Sequence, residues 1–313
     1  LTAMGEALDD SEALYMTLQK MRWGTNVVSH FLRFMRLEEE HDPPKSKEIK
    51  GDNCIRFENV SFTYPGSEHC ILKNVSFEIK GGEHIALVGV NGAGKSTFIH
   101  LITREVFPLH RDEPPVLFKG KSLVTLEEVK QCLGIVSSTM QDQITVHLPA
   151  LDVVYGGLFG VLGVPRRHSM TEAGKEKALR ALEFLGMKEH ADRDIMTMSS
   201  GQARRVLIAR ALVHDPEVLV FDEPTTALDP EGMYFVRKAM RDLVAAGKSI
   251  ILVTHYPEDI IPEIKRVVMI KDGKLYGDRS KEEALTTECV SDLFEVPLKI
   301  LSEDGYFSLV SRY

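Results

Sequence analysis

Apolar positions change period along the chain. Near the N-terminus Val27, Val28, Phe31, Phe34 and Met35 recur at steps of three and four, the spacing of one helical face. That stripe is expected to pack on the rest of the protein or to close an upstream segment. Residues 38–52 are polar, carry Pro43-Pro44 and read as a linker. From Cys54 the pattern shortens to strands. Ile55, Phe57, Val60 and Phe62 lead to a turn at Pro65-Gly66, and residues 75–79 and 84–88 are further strands. Helix-like and strand-like runs then alternate to the end. Residues 218–221 (VLVF) and 249–254 (SIILVT) are unbroken apolar runs of β-branched and aromatic type. Such runs suit central parallel strands covered on both faces. Residues 267–270, Asp272-Gly273 and residues 274–276 read as a hairpin, because Asp-Gly suits a two-residue turn. The chain shows no internal repeat.

Composition narrows the class. The 313 residues hold 38 Lys+Arg against 46 Asp+Glu, a net charge of −8, with 43% hydrophobic residues, enough to bury a full core and to exclude a disordered chain. Net acidity disfavours nucleic acid as a partner, because phosphate neutralisation needs basic surface. The longest mostly apolar stretch, residues 151–164, contains Asp152 and falls short of the roughly 20 residues a membrane span needs. No segment reads as a signal peptide. Cys54, Cys70, Cys132 and Cys289 show no C-x-x-C spacing and are expected as reduced thiols.

Two motifs carry chemistry. Gly89-Val90-Asn91-Gly92-Ala93-Gly94-Lys95-Ser96 fits G-x-x-x-x-G-K-[ST] between a strand and a helix expected over residues 95–103. The glycines let backbone N–H groups approach phosphate oxygens, and the helix N-terminus adds positive potential. Lys95 is placed to reach the β- and γ-phosphates, and the Ser96 hydroxyl to ligate Mg²⁺. Residues 218–223 end an apolar strand in Asp222-Glu223. Asp222 suits the metal, and Glu223, one residue on, suits a general base for the attacking water.

Further residues carry a resemblance. Met198-Ser199-Ser200-Gly201-Gln202, ahead of an apolar helix and before the acidic strand end, resembles the LSGGQ signature of ATP-binding cassette (ABC) ATPases. Thr226-Ala227-Leu228-Asp229 resembles the family's D-loop, His255 its switch histidine, and Tyr64 the aromatic residue that stacks on adenine. The resemblance covers about residues 54–277. It implies an α/β P-loop NTPase of the ABC type, with a mostly parallel core sheet, an antiparallel β subdomain and an inserted α-helical subdomain. It divides the chain into a helical extension and linker (1–50), the ATPase domain (51–290, helical subdomain about 150–215) and a tail (291–313). ATP and Mg²⁺ are the implied cofactors.

In that picture two copies meet head to tail. Gly89, Val90, Asn91, Gly92, Ala93, Gly94, Lys95, Ser96 and Thr97 hold the phosphates, with Tyr64 at the base. Ser199, Ser200, Gly201 and Gln202 reach the nucleotide of the other copy, and Asp229 passes between the sites. Glu223, His255 and Lys95 are the catalytic set. Ser96 and Asp222 hold the metal with a glutamine; Ser138 occupies the position given by counting, Gln143 is near, and Gln141 is preferred. The signature departs from the pattern at Met198 and Ser200, and the D-loop at Thr226. At Ser200 the family's glycine conformation would have to be accepted by a residue with a Cβ.

The kind of ABC protein follows from what lies between the motifs. Between Lys95 and Asp222 no heptad run occurs, which disfavours coiled-coil chromosome and repair relatives. One phosphate loop and one signature disfavour twin-cassette translation factors. The resemblance implies a transporter's ATPase subunit, with permease subunits as partners and a place on the cytoplasmic face of the membrane. Leu158, Phe159, Val161 and Leu162 are expected either in a docking surface for the permease or in the subdomain core. Residues 151–154 and the tail, 289–310, resemble importer-type subunits for metal-chelate or molybdate-like substrates, and the front end resembles an exporter. An importer-type subunit is the expectation, with a truncated exporter cassette and a non-hydrolysing regulatory cassette as alternatives.

Overall fold

The alternating residues after Cys54 build the first sheet. In β1 (Ile55–Thr63) Ile55, Phe57, Val60 and Phe62 are buried, and β1 pairs antiparallel with β2 (Cys70–Ile79). The Pro65-Gly66 turn joins them, with Ser67 N donating to Tyr64 O at 3.0 Å. In this computed structural model, residues 55–108, 115–119, 121, 125–165 and 169–311 are described. All of them lie in the larger of the chain's two units, Lys47–Tyr313. The expected N-terminal helix, the linker and Cys54 lie outside the described residues.

The second sheet positions the site. It starts with β3 (Ile85–Val88), while β4 (Val116–Phe118) returns to β1 and completes an antiparallel sheet of order β2-β1-β4. The further strands are β5 (Leu133–Ser137), β6 (Val218–Asp222), β7 (Ser249–Thr254), β8 (Arg266–Lys271) and β9 (Lys274–Ser280). They form a six-stranded sheet of order β5-β6-β7-β3-β8-β9, parallel from β5 to β8 and antiparallel at β9. Successive residues face different cores, the two-fold alternation of a doubly covered strand. Ala86 and Val88 belong to one cluster, with Leu219, Phe221, Ile250 and Leu252. Ile85 and Leu87 belong to the other, with Val220, Ile251 and Val253.

Helices cover the sheet. They are α1 (Lys95–Ile102), α2 (Leu126–Cys132), α3 (Ser138–Asp142), α4 (Ala150–Gly156), α5 (Glu172–Phe184), α6 (Ser200–Leu212), α7 (Pro230–Ala245), α8 (Lys281–Ala284) and α9 (Thr287–Phe294). Helices α3 to α6 are the insertion between β5 and β6. Phe98 of α1 packs against Phe57 and Phe77, with centroids 4.7 and 5.1 Å apart. Such pairs contribute about 0.5–1.5 kcal/mol each beyond area burial, and here they fasten the antiparallel sheet to the phosphate-loop helix.

The hairpin forms as the Asp-Gly pair predicts: Asp272 and Gly273 have φ of 51° and 75° between β8 and β9. The tail forms a second hairpin, β10 (Leu298–Glu303) with β11 (Tyr306–Ser311). The apolar stretch from 151 is α4 and a following turn rather than one long helix. Leu158 is half-buried, whereas Phe159, Val161 and Leu162 are exposed. Among the described residues no helix is long and apolar enough to cross a membrane.

Candidate functional site

Parallel pairing brings the chemistry-bearing loops to one edge of the sheet. Ser137 pairs with Asp222, Asp222 with Val253, and Thr254 with Val88. The segments after β3, β5, β6 and β7 therefore leave the same end of the sheet, where open α/β sheets gather ligands.

Residues 89–94 connect β3 to α1. Gly94, the N-cap of α1, has φ 105° and no side-chain cap, so the first N–H groups of the helix are left for an external acceptor. A Cβ on Gly94 would fall 2.6 Å from Leu72 Cδ2, so both conformation and space exclude a side chain. Lys95 is buried and donates from Nζ to Gly89 O at 2.7 Å and Val90 O at 2.9 Å. Burial lowers its pKa, against the opposing charges of Glu223 and Asp222. The lysine thus braces the loop through carbonyls that lie within it. Thr97 and His100, one turn into α1, meet the Tyr64 hydroxyl at 3.3 and 3.4 Å. Tyr64 also sits edge-on to Phe62.

Asp222 closes β6, and its carboxyl is pushed up to about 6 by burial and by Glu223 beside it, against the pull of Lys95 and His100. Glu223 leaves the strand with φ 47°. A left-handed non-glycine residue costs about 1–3 kcal/mol and persists only where neighbours enforce it. Here Glu223 N donates to Val253 O at 2.8 Å, and Glu223 Oε1 lies 3.1 Å from His255 Nδ1. The acid and the imidazole are a hydrogen-bonded pair at the ends of adjacent strands.

The signature-like stretch, residues 198–202, opens α6. Ser199 is its N-cap: Ser199 Oγ accepts from Gln202 N at 3.2 Å, and Ser199 N donates to Gln202 Oε1 at 3.2 Å. This reciprocal capping box contributes about 1 kcal/mol. Ser200 is the first helical residue and is not among the residues with positive φ, so no glycine-only conformation is imposed on it. Gly201 is buried against α7: a Cβ there would lie 2.9 Å from Gly232 Cα. Asp229 caps α7 by accepting from Gly232 N at 2.8 Å, ahead of Pro230 at the first turn. The signature and the D-loop helix therefore touch backbone to backbone. In the D-loop, Ala227 has φ 62° and the Thr226 hydroxyl is buried without a hydrogen-bond partner.

Gln141 lies on α3, just beyond β5. Its Oε1 accepts from Arg204 Nη2 at 3.4 Å, while Arg204 Nη1 donates to Pro224 O at 2.9 Å. Arg204 is 3% exposed. It joins the signature helix, the residue after Glu223 and Gln141. Nothing in the sequence pattern marks it: Arg204 is one of two adjacent arginines after residues 198–202. Nor does the pattern mark Asp259, which is fully buried and holds Thr225, Thr254 and Arg237. An acid in a Pro-Glu-Asp turn reads as loop polarity; only its neighbours reveal it. The capping box was open to detection as S-x-x-Q at 199–202.

A metal would suit the Ser96–Asp222 end of this edge. A buried carboxylate lifted toward neutrality by desolvation and by a neighbouring acid favours a cation beside it. No group of three or more His, Cys, Asp or Glu side chains suited to a metal occurs among the described residues, so such an ion would draw further ligands from phosphate and water.

Comparison with known proteins places the chain in a family. A family model described as "ABC transporter" matches residues 72–226. An uncharacterised ABC transporter ATP-binding protein of Bacillus subtilis, YlmA, is 31% identical over 253 residues, 79% of this chain and 93% of that one. Among solved structures, cbiO1 from Clostridium perfringens, part of the transporter complex cbiONQ, is 27% identical with a TM-score of 0.63, over 77% of this chain and 94% of that one. A dimeric ATP-binding cassette in a post-hydrolysis state, bound to ADP and Pi, is 28% identical with a TM-score of 0.60, over 72% and 98%.

Proposed function

As this chain belongs to the ABC ATPase family of transporter ATP-binding proteins, we propose that it hydrolyses ATP as the motor subunit of an importer-type transporter. The observation that carries this reading is the Glu223–His255 pair at the strand ends beside Lys95 and Asp222. The chemistry follows from those positions. Uncapped N–H groups of α1 and the Lys95 ammonium bind the β- and γ-phosphates. Binding draws Lys95 from its own loop carbonyls, Gly89 O and Val90 O, onto the nucleotide. Tyr64, fixed by Thr97 and His100, supplies a ring for adenine. Glu223 takes the proton of the attacking water, and His255 orients Glu223 and bonds to the γ-phosphate. Ser96 and Asp222 would hold Mg²⁺, which when bound offsets phosphate charge. Gln141 joins them on leaving Arg204.

The second half of each site comes from another copy. Ser199, Ser200, Gly201 and Gln202 present a helix N-terminus to the partner's γ-phosphate, and Asp229 lies at the junction. The dimeric ADP-and-Pi cassette supports this arrangement. Phe159, Val161 and Leu162 are exposed on the helical insertion, and they are the proposed contact with the permease, which holds the chain at the cytoplasmic face of the membrane. The likeness to cbiO1, part of a transporter complex, supports that partner. The importer-type reading rests on residues 151–154 and the tail.

A second reading, a cassette that closes on ATP without turnover, is favoured by the Gln141–Arg204 bond, which occupies the amide oxygen a metal would need. Steady-state Mg-ATP hydrolysis across protein concentrations, with Lys95→Ala as the blank, separates the two. Specific activity that rises with concentration is expected. ATP-dependent dimers without turnover would favour the second reading, and neither turnover nor dimers would overturn both.

A further inference from the structure

The β6–β7 ladder ends at Asp222 and Val253, yet the chain on either side stays joined beyond it. Asp259 makes the join. It lies in the short turn Pro257–Asp259 after His255 and is 0% exposed. Its Oδ2 accepts from Thr225 Oγ1 at 2.6 Å and from Thr254 Oγ1 at 3.0 Å. Its Oδ1 accepts from Arg237 Nη2 at 2.8 Å and Nε at 3.0 Å. Thr225 is two residues beyond Glu223, Thr254 is next to His255, and Arg237 rides on α7, the helix capped by Asp229. One carboxylate thus ties the acid's loop, the histidine's loop and the D-loop helix together. Thr254 Oγ1 extends the network by accepting from Tyr256 N at 3.0 Å.

Burying a carboxylate is expensive, and apolar residues could hold three elements together at lower cost. What a fully satisfied buried network supplies is a single geometry. We infer that Asp259 is a positioning residue for hydrolysis: through Thr254 and Thr225 it sets the His255–Glu223 pair, and through Arg237 it links that pair to the D-loop helix at the junction with the second copy. This rests on the hydrolytic reading above.

The test measures kcat and KM for ATP in the full chain carrying Asp259→Asn, Thr254→Val or Thr225→Val, each alone and with His255→Ala, alongside urea unfolding. Asp259→Asn and Thr254→Val are expected to lower kcat about tenfold or more and leave KM within about twofold, since misplacing a reacting pair by an ångström is costly. With His255→Ala present, Thr254→Val should lower kcat no further, and Asp259→Asn should lower it by less than it does alone, because only the Thr225 route to Glu223 is left. Full additivity in that background, or unchanged kcat in both threonine variants, overturns the inference. If Asp259→Asn does not fold, Thr254→Val, which removes one hydroxyl and keeps the shape, decides the matter. Absence of turnover in the unaltered chain overturns the hydrolytic reading instead. The imidazole ¹⁵N resonances of His255 then judge the network: they move in Thr254→Val if Asp259 positions the ring, and stay put if it does not.

Discussion

Glu223→Gln replaces one oxygen by an amide nitrogen and leaves the rest of the site in place. The backbone anchor, Glu223 N to Val253 O at 2.8 Å, does not involve the side chain. The partner at 3.1 Å is His255 Nδ1, which donates or accepts according to tautomer, so an amide keeps a hydrogen bond to it in one orientation or the other. The strained φ of 47° is retained, so its cost is equal in the two proteins. Residues 89–96 are untouched, so nucleotide binding is preserved. What disappears is the ability to take a proton. A positioned general base contributes about 10²–10⁴ in rate, or about 3–5 kcal/mol of barrier. Phosphate release at saturating Mg-ATP should fall by about that factor, while KM stays within about twofold, the pattern of an interaction made only in the transition state. Sedimentation in ATP should show a dimer that outlasts the one formed by the unaltered chain. His255→Ala is the comparison. If the imidazole rather than the carboxylate is the base, His255→Ala loses more activity than Glu223→Gln. Turnover of Glu223→Gln within about fivefold of the unaltered chain refutes the assignment of the base.

Two further outcomes follow from packing and charge. Gly201→Ala gains about 1 kcal/mol of helix propensity but forces a Cβ to 2.9 Å from Gly232 Cα, an overpacking that costs about 1–3 kcal/mol; urea unfolding should show net loss of stability, and a gain would mean that α6 and α7 have room to part. His84 is held below its ordinary 6.5 by burial, against the charges of Glu263 and Glu83, and its Nδ1 is buried without a partner. As pH falls through 6.5 the unfolded chain takes the proton first, so this group's contribution is fully present above 6.5 and is lost as pH drops toward the lower folded value. Unfolding free energy should therefore decline more between pH 7.5 and 5.5 in the unaltered chain than in His84→Gln, and parallel profiles would contradict it.

Local chemistry made much of this protein readable from its residues. The glycines of 89–94, Lys95-Ser96 and the apolar run into Asp222-Glu223 each depend on spacing along a few residues, because a turn, a helix start and a strand end are decided within that range. The same holds for the Asp272-Gly273 hairpin, for the Asp229-Pro230 helix start and for the doubly buried strands at 218–221 and 249–254, whose unbroken apolar runs need cover on both faces. The order of the motifs along the chain was enough to indicate the family. Tertiary structure decided which of these pieces meet. Strand order β5-β6-β7-β3 places His255 against Glu223, residues 32 apart in the chain, and no periodicity encodes which parallel strands become neighbours. It placed Gly201 against Gly232, turned Gln141 to Arg204, and gave Ser200 an ordinary helical backbone where a strained one was anticipated. Most of all it singled out Asp259. A carboxylate's meaning depends on whether water surrounds it, and only the packed fold shows that this one has been taken out of water and given three partners instead.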